Sequence, residues 1–318
     1  MRRGLGRGLG YRCEWGVVVL GELGGGTTNP RYGTVAWGGI FARVNVSMAD
    51  APLNRLDNAF SRLREKGQRA FVAYVCAGDP DLERSVDIVL ALERAGVDVV
   101  ELGVPFSDPL ADGVVNQMAA DRALRAGAST AGVLEMIRRL RQQSQIPLVL
   151  FTYLNPVYTY GYQRFHQDAA AAGADGVLVL DLPPDEADEN AELRPAPELK
   201  HIQLVAPTSS AERIETIAKR AEGFVYYVSR LGVTGAQASV AEGIAEQVAR
   251  IREATTVPVC VGFGVANPEQ AAEVATKADG VVVGSAIVRL IERNGDATDL
   301  ADQVEAFVKP LVQAVKAV

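Results

Sequence analysis

Two carboxylates stand eleven residues apart where acid–base chemistry could take place: Glu101 and Asp112, in the run Val100–Asp112, VELGVPFSDPLAD. Glu101 follows Val97-Asp98-Val99-Val100 and precedes Leu102, so it belongs to a segment that should be buried. Burial disfavours the charged form and raises a glutamate's pKa from its ordinary ~4.3, the condition for proton traffic near neutrality. The alternative at this position is a structural glutamate paired with an arginine. Asp112 ends a loop, Gly103–Gly113, to which two prolines and two glycines give a defined path. Asp108 is the rival carboxylate there, although in Ser-Asp-Pro it also reads as a turn former.

A second constellation lies late in the chain. Gly262-Phe263-Gly264-Val265 and Gly284-Ser285-Ala286-Ile287 each follow an apolar run, and the second opens a helical pattern. Glycines let backbone N–H groups approach an anion, and a helix N-terminus adds favourable dipole charge. Gly232-Val233-Thr234-Gly235 could supply a third wall. One such turn alone would be weak evidence; two at consecutive strand ends point to phosphate, the alternative being turns built only for geometry.

These residues need a scaffold that gathers strand ends. Apolar runs bounded by turn residues predict eight strands: Ala70–Ala77, Val97–Leu102, Pro147–Thr152, Gly176–Leu180, Ile202–Val205, Phe224–Val228, Val257–Gly262 and Gly280–Val283. Helical patterns alternate with them, among others Leu82–Ala95, Ala131–Gln143, Glu212–Ala221, Glu242–Ala254 and Pro268–Ala275, with Gly96 and Gly173 where C-caps belong. An amphipathic helix beginning at Leu53 precedes them all. Near-continuous Val/Leu/Ile strands indicate a sheet covered on both faces. The units fit an α/β fold, a (β/α)8 TIM barrel with an extra N-terminal helix, over residues 48–318. An open doubly wound sheet is the alternative, but the turn after the first strand reads Ala77-Gly78-Asp79-Pro80 and holds no G-x-G-x-x-G. Chemistry in a barrel sits at the C-terminal strand ends, which here present Asp79, Glu101, Tyr153, Asn155, Asp181, Thr208, Ser229, Arg230, Thr234 and Ser285.

Composition narrows the chemistry. A net charge of −7 argues against nucleic acid and anionic membrane, and no apolar run reaches a bilayer span. Cys13, Cys76 and Cys260 form no C-x-x-C, so no disulfide framework or zinc site is expected, and a reducing, cytoplasmic setting is. The lysines fall on helices or before strands, away from a Schiff-base position, and His166 (in a helix) and His201 (before a strand) read as surface or packing residues. Carboxylate chemistry without a cofactor remains. Residues 1–47 differ from the rest: they are glycine-rich, hold six arginines against two glutamates, and show no sustained helical or strand period. They are expected to be disordered or a non-native extension, with Met48 as the alternative start and a transit peptide as a further reading.

VELGVPFSDPLAD, together with Ser229–Ala236 (SRLGVTGA), Gly262–Val265 and Gly284–Ile287, resembles the tryptophan synthase α-subunit family from Leu53 to about Val318, with the motifs in family order. The resemblance implies a lyase that splits indole-3-glycerol phosphate into indole and glyceraldehyde 3-phosphate. It implies Glu101 as the proton shuttle at indole C3 and Asp112 as the group holding the indole N–H. It also implies Tyr226 beside the substrate, Gly235, Gly264, Gly284 and Ser285 at the phosphate, and Phe263 and Leu178 on the indole, with Tyr74 where a phenylalanine can stand. No cofactor is implied in this chain. The implied partner is a β subunit carrying pyridoxal phosphate, in an αββα heterotetramer, which would bias the loops holding Asp112 and following Ser229 toward closure. Val114 departs from the family's common proline and Asn116 from its common isoleucine, and Leu193–Lys200 is shorter than expected. Two rivals stay open: a phosphoribosylanthranilate isomerase using Cys76 as base, and a silent barrel that only activates a partner.

Overall fold

The computed structural model describes residues 33–37, 40–44, 54–183, 186, 196, 198–229, 237–262 and 264–318. The chain divides into two units, Met1–Pro52 and Leu53–Val318. In the first, β1 (Gly33–Trp37) pairs antiparallel with β2 (Ile40–Val44). This strand pair stands where the sequence analysis found no strand period. Its residues, GTVAW and IFARV, are rich in β-branched and aromatic types, and Gly38-Gly39 separates them in sequence.

The second unit is a parallel barrel. Its strands are β3 (Ala70–Cys76), β4 (Val99–Gly103), β5 (Leu148–Thr152), β6 (Gly176–Val179), β7 (Lys200–His201), β8 (Gln203–Val205), β9 (Val225–Val228), β10 (Val259–Gly262) and β11 (Gly280–Val283). Their order is β7-β6-β5-β4-β3-β11-β10-β9-β8. β7 and β8 are two pieces of one strand, interrupted at Ile202, whose N–H still donates to the Val177 carbonyl. The first piece pairs with β6 and the second with β9, so eight strands close the ring. The fifth strand therefore begins at Lys200, earlier than the apolar run from Ile202 suggested, and His201 lies within it. Lys200 and His201 are polar, but hydrogen bonding to β6 recruits them.

Strand side chains alternate between two environments. Ala70, Val72, Tyr74, Cys76, Val99, Val149, Phe151, Leu178, Phe224 and Cys260 form the barrel interior, while Phe71, Ala73, Val75, Val100, Leu102, Leu148 and Leu150 pack on the surrounding helices. The helix Arg55–Glu65 plugs one end: Leu56, Phe60 and Leu63 join the interior cluster, and the rings of Phe60 and Phe224 lie 5.7 Å apart. Gly223, at φ +67, leaves room for Leu56; a Cβ there would lie 2.5 Å from its methyl. With that end closed, the open end is the C-terminal one, where Glu101 lies.

Candidate active site

Glu101 occupies the middle of β4, with Tyr74 of β3 and Val149 of β5 opposite it in register. It is 0% exposed, and neither carboxylate oxygen has a hydrogen-bond partner among the described residues. Burial alone pushes its pKa up to about 8. At neutral pH it is therefore a carboxylic acid with a proton to give. The phenols of Tyr74 and Tyr226 face both Glu101 and Asp112 closely enough that either charge raises their pKa further, on top of desolvation. Glycines make the space for these rings. A Cβ on Gly103 would collide with the Tyr74 hydroxyl, and one on Gly262 would lie 2.5 Å from that of Tyr226.

Asp112 reaches the site from the loop after β4, one residue before the cap of the helix Val114–Arg125. Its Oδ2 accepts from the Tyr153 hydroxyl at 2.8 Å, and its Oδ1 accepts from Asn116 Nδ2 at 3.4 Å. The same Tyr153 oxygen accepts the Ala111 N–H at 3.1 Å, and its ring packs on Phe106 at 5.5 Å between centroids. One phenol thus ties down both the loop and its carboxylate. Burial raises the Asp112 pKa, and the bonds from Tyr153 and Asn116 oppose that rise. No cation pairs with Glu101 or Asp112 among the described residues. The rival Asp108 is exposed and bonded by its neighbour Ser107 at 2.8 Å.

At the late glycine turns, Gly284 caps the helix Ser285–Asn294 and, as a glycine, brings no capping side chain to its N-terminus. Gly264 is exposed at φ +69 with open space where a Cβ would be. The N–H groups opening this helix are thus available to an anion. Leu178 lies in the barrel interior, 1% exposed. Gly235 and Phe263, and with them Arg230 and Thr234, lie outside the described residues.

Other strand-end groups are already engaged. Asp79 is held bidentately by Arg122 at 2.9 and 2.8 Å, and Asp181 accepts the Leu154 N–H at 2.6 Å. Thr208 and Asn155 are exposed. Burial pushes the thiols of Cys76 and Cys260 far up, so neither is a ready base. The rings of His166 and His201 stack at 5.2 Å, both buried and remote from the two carboxylates in the fold. No cluster of metal-ligating residues occurs among the described residues. Sequence reasoning placed Tyr153 at a strand end but missed its hold on Asp112. The signal available was a polar aromatic one residue past β5, facing the loop that follows β4.

The comparisons with known proteins agree with one another. A family model described as "Tryptophan synthase alpha chain" matches residues 60–316. The tryptophan synthase alpha chain of Citrifermentans bemidjiense is 49% identical over 266 residues, 83% of this chain and 98% of that protein. That of Geobacter sulfurreducens is 49% identical over 263 residues, 83% of this chain and 99% of that protein. Among solved structures, tryptophan synthase subunit alpha from Legionella pneumophila superposes with a TM-score of 0.77 at 38% identity, covering 84% of this chain and 100% of that one. A chain of M. tuberculosis tryptophan synthase in an aminoacrylate-bound form gives a TM-score of 0.73 at 34% identity, over 82% of this chain and 99% of that one.

Proposed function

The chain belongs to the tryptophan synthase alpha chain family, the lyase subunits that cleave indole-3-glycerol phosphate in tryptophan biosynthesis, and we propose that Glu101 and Asp112 carry that cleavage here. The observation behind this reading is the buried Glu101, protonated at neutral pH, with Asp112 held by neutral donors; among the described residues neither meets a cation. Glu101 donates its proton to indole C3, which turns the ring into an electron sink. Positive charge develops at the ring nitrogen, and the Asp112 carboxylate accepts the N–H and stabilises that charge. The Glu101 carboxylate then takes the proton of the adjacent glycerol hydroxyl as the C–C bond breaks. The bonding pair returns to the ring, giving indole and an aldehyde, with Glu101 protonated again.

Tyr226, Leu178 and Phe263 line the ring. The N–H groups around Gly235, Gly264, Gly284 and Ser285 hold the phosphate, whose binding energy positions the distant reacting bond. The chain's own residues supply all of this chemistry, and pyridoxal phosphate belongs to the β subunit with which it pairs in an αββα assembly. Two features support a partner on the C-terminal face. Leu110, Val114 and Met118 are 90%, 73% and 47% exposed around the Asp112 loop. A largely apolar groove of 480 Å³ is lined by Pro105 and Phe106 of the same loop, with Leu124, Ala131 and Pro156. No helix among the described residues is long and apolar enough to cross a membrane, and a cytoplasmic setting fits. The test is indole release from purified indole-3-glycerol phosphate, with and without a β subunit. Absence of indole in both samples would leave the silent-barrel reading.

A further inference from the structure

Asn116 sits on the first turn of the helix Val114–Arg125, where the family commonly has an isoleucine. Its neighbour Val115 packs against the barrel interior. The amide Nδ2 points to Asp112 Oδ1 at 3.4 Å, and the amide Oδ1 is buried with no hydrogen-bond partner among the described residues. Rotating the amide by half a turn would set two oxygens against each other, so ionised Asp112 fixes which end faces it. A buried acceptor without a donor is unfavourable, and in a native structure it calls for an explanation. Here the acceptor lies within one side chain of the carboxylate that faces the phenols of Tyr74 and Tyr226.

We propose that Asn116 is a specificity residue whose side-chain oxygen accepts the indole N–H together with Asp112, in a three-centre hydrogen bond that an isoleucine at this position cannot make. The inference rests on the reading of Asp112 as the group at the ring nitrogen. Asp112 supplies the charge, and Asn116 supplies a neutral acceptor whose direction Asp112 sets. The site then discriminates more strongly between ring systems that carry N–H at that position and those that do not, because both acceptors lose their donor when the N–H is absent.

The experiment compares two non-cleavable ligands, indole-3-propyl phosphate and its benzothiophene analogue, in which sulfur replaces N–H. Dissociation constants are measured for the full chain, for Asn116→Leu and for Asp112→Asn. Asn116→Leu is expected to lower the preference for the indole ligand about three- to tenfold, the size of one neutral hydrogen bond, while the benzothiophene ligand binds as before. An unchanged preference in Asn116→Leu overturns the proposal, and so does equal weakening of both ligands, which marks a merely structural residue. Asp112→Asn is the separate control. If it leaves the preference intact, the assignment of Asp112 has failed, whatever Asn116→Leu does.

Discussion

Carboxylates at the N-terminal end of the barrel are tied to cations, as Asp79 is at the other end, whereas, among the described residues, the two carboxylates of the candidate site are not. At the N-terminal end, Asp98, Asp175 and Asp279 each stand immediately before a strand and accept an N–H from the start of the neighbouring one: Phe71 at 2.7 Å, Leu148 at 2.9 Å and Val259 at 2.9 Å. Each also meets a cation: Lys316 at 2.5 Å for Asp98, Arg55 and Arg141 both at 2.8 Å for Asp175, and Arg252 at 2.7 Å for Asp279. Each is held by a backbone N–H and a cation, and together they stitch adjacent strands; at Asp98 burial still raises the pKa, against the pull of Lys316. In the candidate site, among the described residues, Glu101 has no partner, and Asp112 has only a phenol and an amide. Burial raises both pKa values, and at Glu101 no described group opposes it, so its pKa reaches about 8, whereas at Asp112 only neutral donors pull the other way. The same residue class is bound into the scaffold at one end, and the role proposed for it at the other is proton transfer; the partners differ accordingly.

Glu101→Gln attacks the comparison at its strongest point. It keeps the shape and removes the proton, so cleavage should fall about 10²–10⁴-fold while a glycerol phosphate analogue still binds. A variant retaining more than a tenth of the rate would sink the assignment. With the wild type, kcat/KM should decline as pH rises through about 8, as the acid loses its proton. Stability should show the same group from the other side. Because the folded pKa lies above the unfolded one, the stability this group contributes is complete below about 4.3. It is lost as pH rises toward about 8. Glu101→Gln should therefore melt higher than wild type at pH 9, with the gap closing toward pH 5.

Asp175→Ala tests the other end. It strands Arg141, whose side chain is 10% exposed, and leaves the Leu148 N–H without its acceptor. Removing one partner of a buried pair costs about 3–5 kcal/mol, read as a lower urea midpoint. The rate per folded molecule should stay unchanged, since Asp175 is remote from the reacting bond; a fall in kcat as large as the fall in stability would erase the distinction between the two ends.

Tyr153→Phe sharpens the comparison, because it removes one of the neutral donors that distinguish Asp112 from its cation-paired counterparts. Losing the bonds to Asp112 and to the Ala111 N–H should lower kcat about tenfold, roughly the value of one hydrogen bond to a charged group, with KM little changed. The acid limb of the pH profile should move to higher pH, because the Tyr153 bond counteracts the burial that raises the Asp112 pKa. A lower rate with an unmoved acid limb would reduce Tyr153 to a packing residue.

Much of this was legible in the residues themselves. Runs such as Gly280–Val283 and the pattern Pro268–Ala275 coincide with the observed elements, because both faces of a parallel strand are buried and helix starts carry capping residues. Glu101 was readable from its place inside an apolar strand. The break at Ile202 was not, because it reflects how one strand serves two neighbours in a closed ring, which is a property of the ring and not of the local sequence. The holds of Tyr153 and Asn116 on Asp112 were hidden for a similar reason: they depend on the path of the loop, and the residues lie 41 and 4 positions away. The strand-opening aspartates were visible in sequence, as Gly96-Val97-Asp98-Val99 and Gly173-Ala174-Asp175-Gly176, but the pattern alone did not reveal which backbone N–H they serve.

The smallest effect expected of the isolated chain is at Leu110, and its value lies in what it separates. Leu110 is 90% exposed between Pro109 and Ala111, so its side chain supports nothing in the barrel itself. The Ala111 N–H beside it, however, is the one bonded to Tyr153, so pressure on Leu110 is transmitted directly to the loop that carries Asp112. A partner covering the apolar stripe of Leu110, Val114 and Met118 would favour the loop position in which that bond is made. Leu110→Ser should then leave cleavage by the isolated chain unchanged and weaken any acceleration by a cognate β subunit. Protease cleavage within Gly103–Gly113 should fall when the partner is added to wild type, and fall less with the variant. Equal acceleration of both proteins would mean that the Asp112 loop is already set by Tyr153 alone, and that the partner acts elsewhere on the C-terminal face.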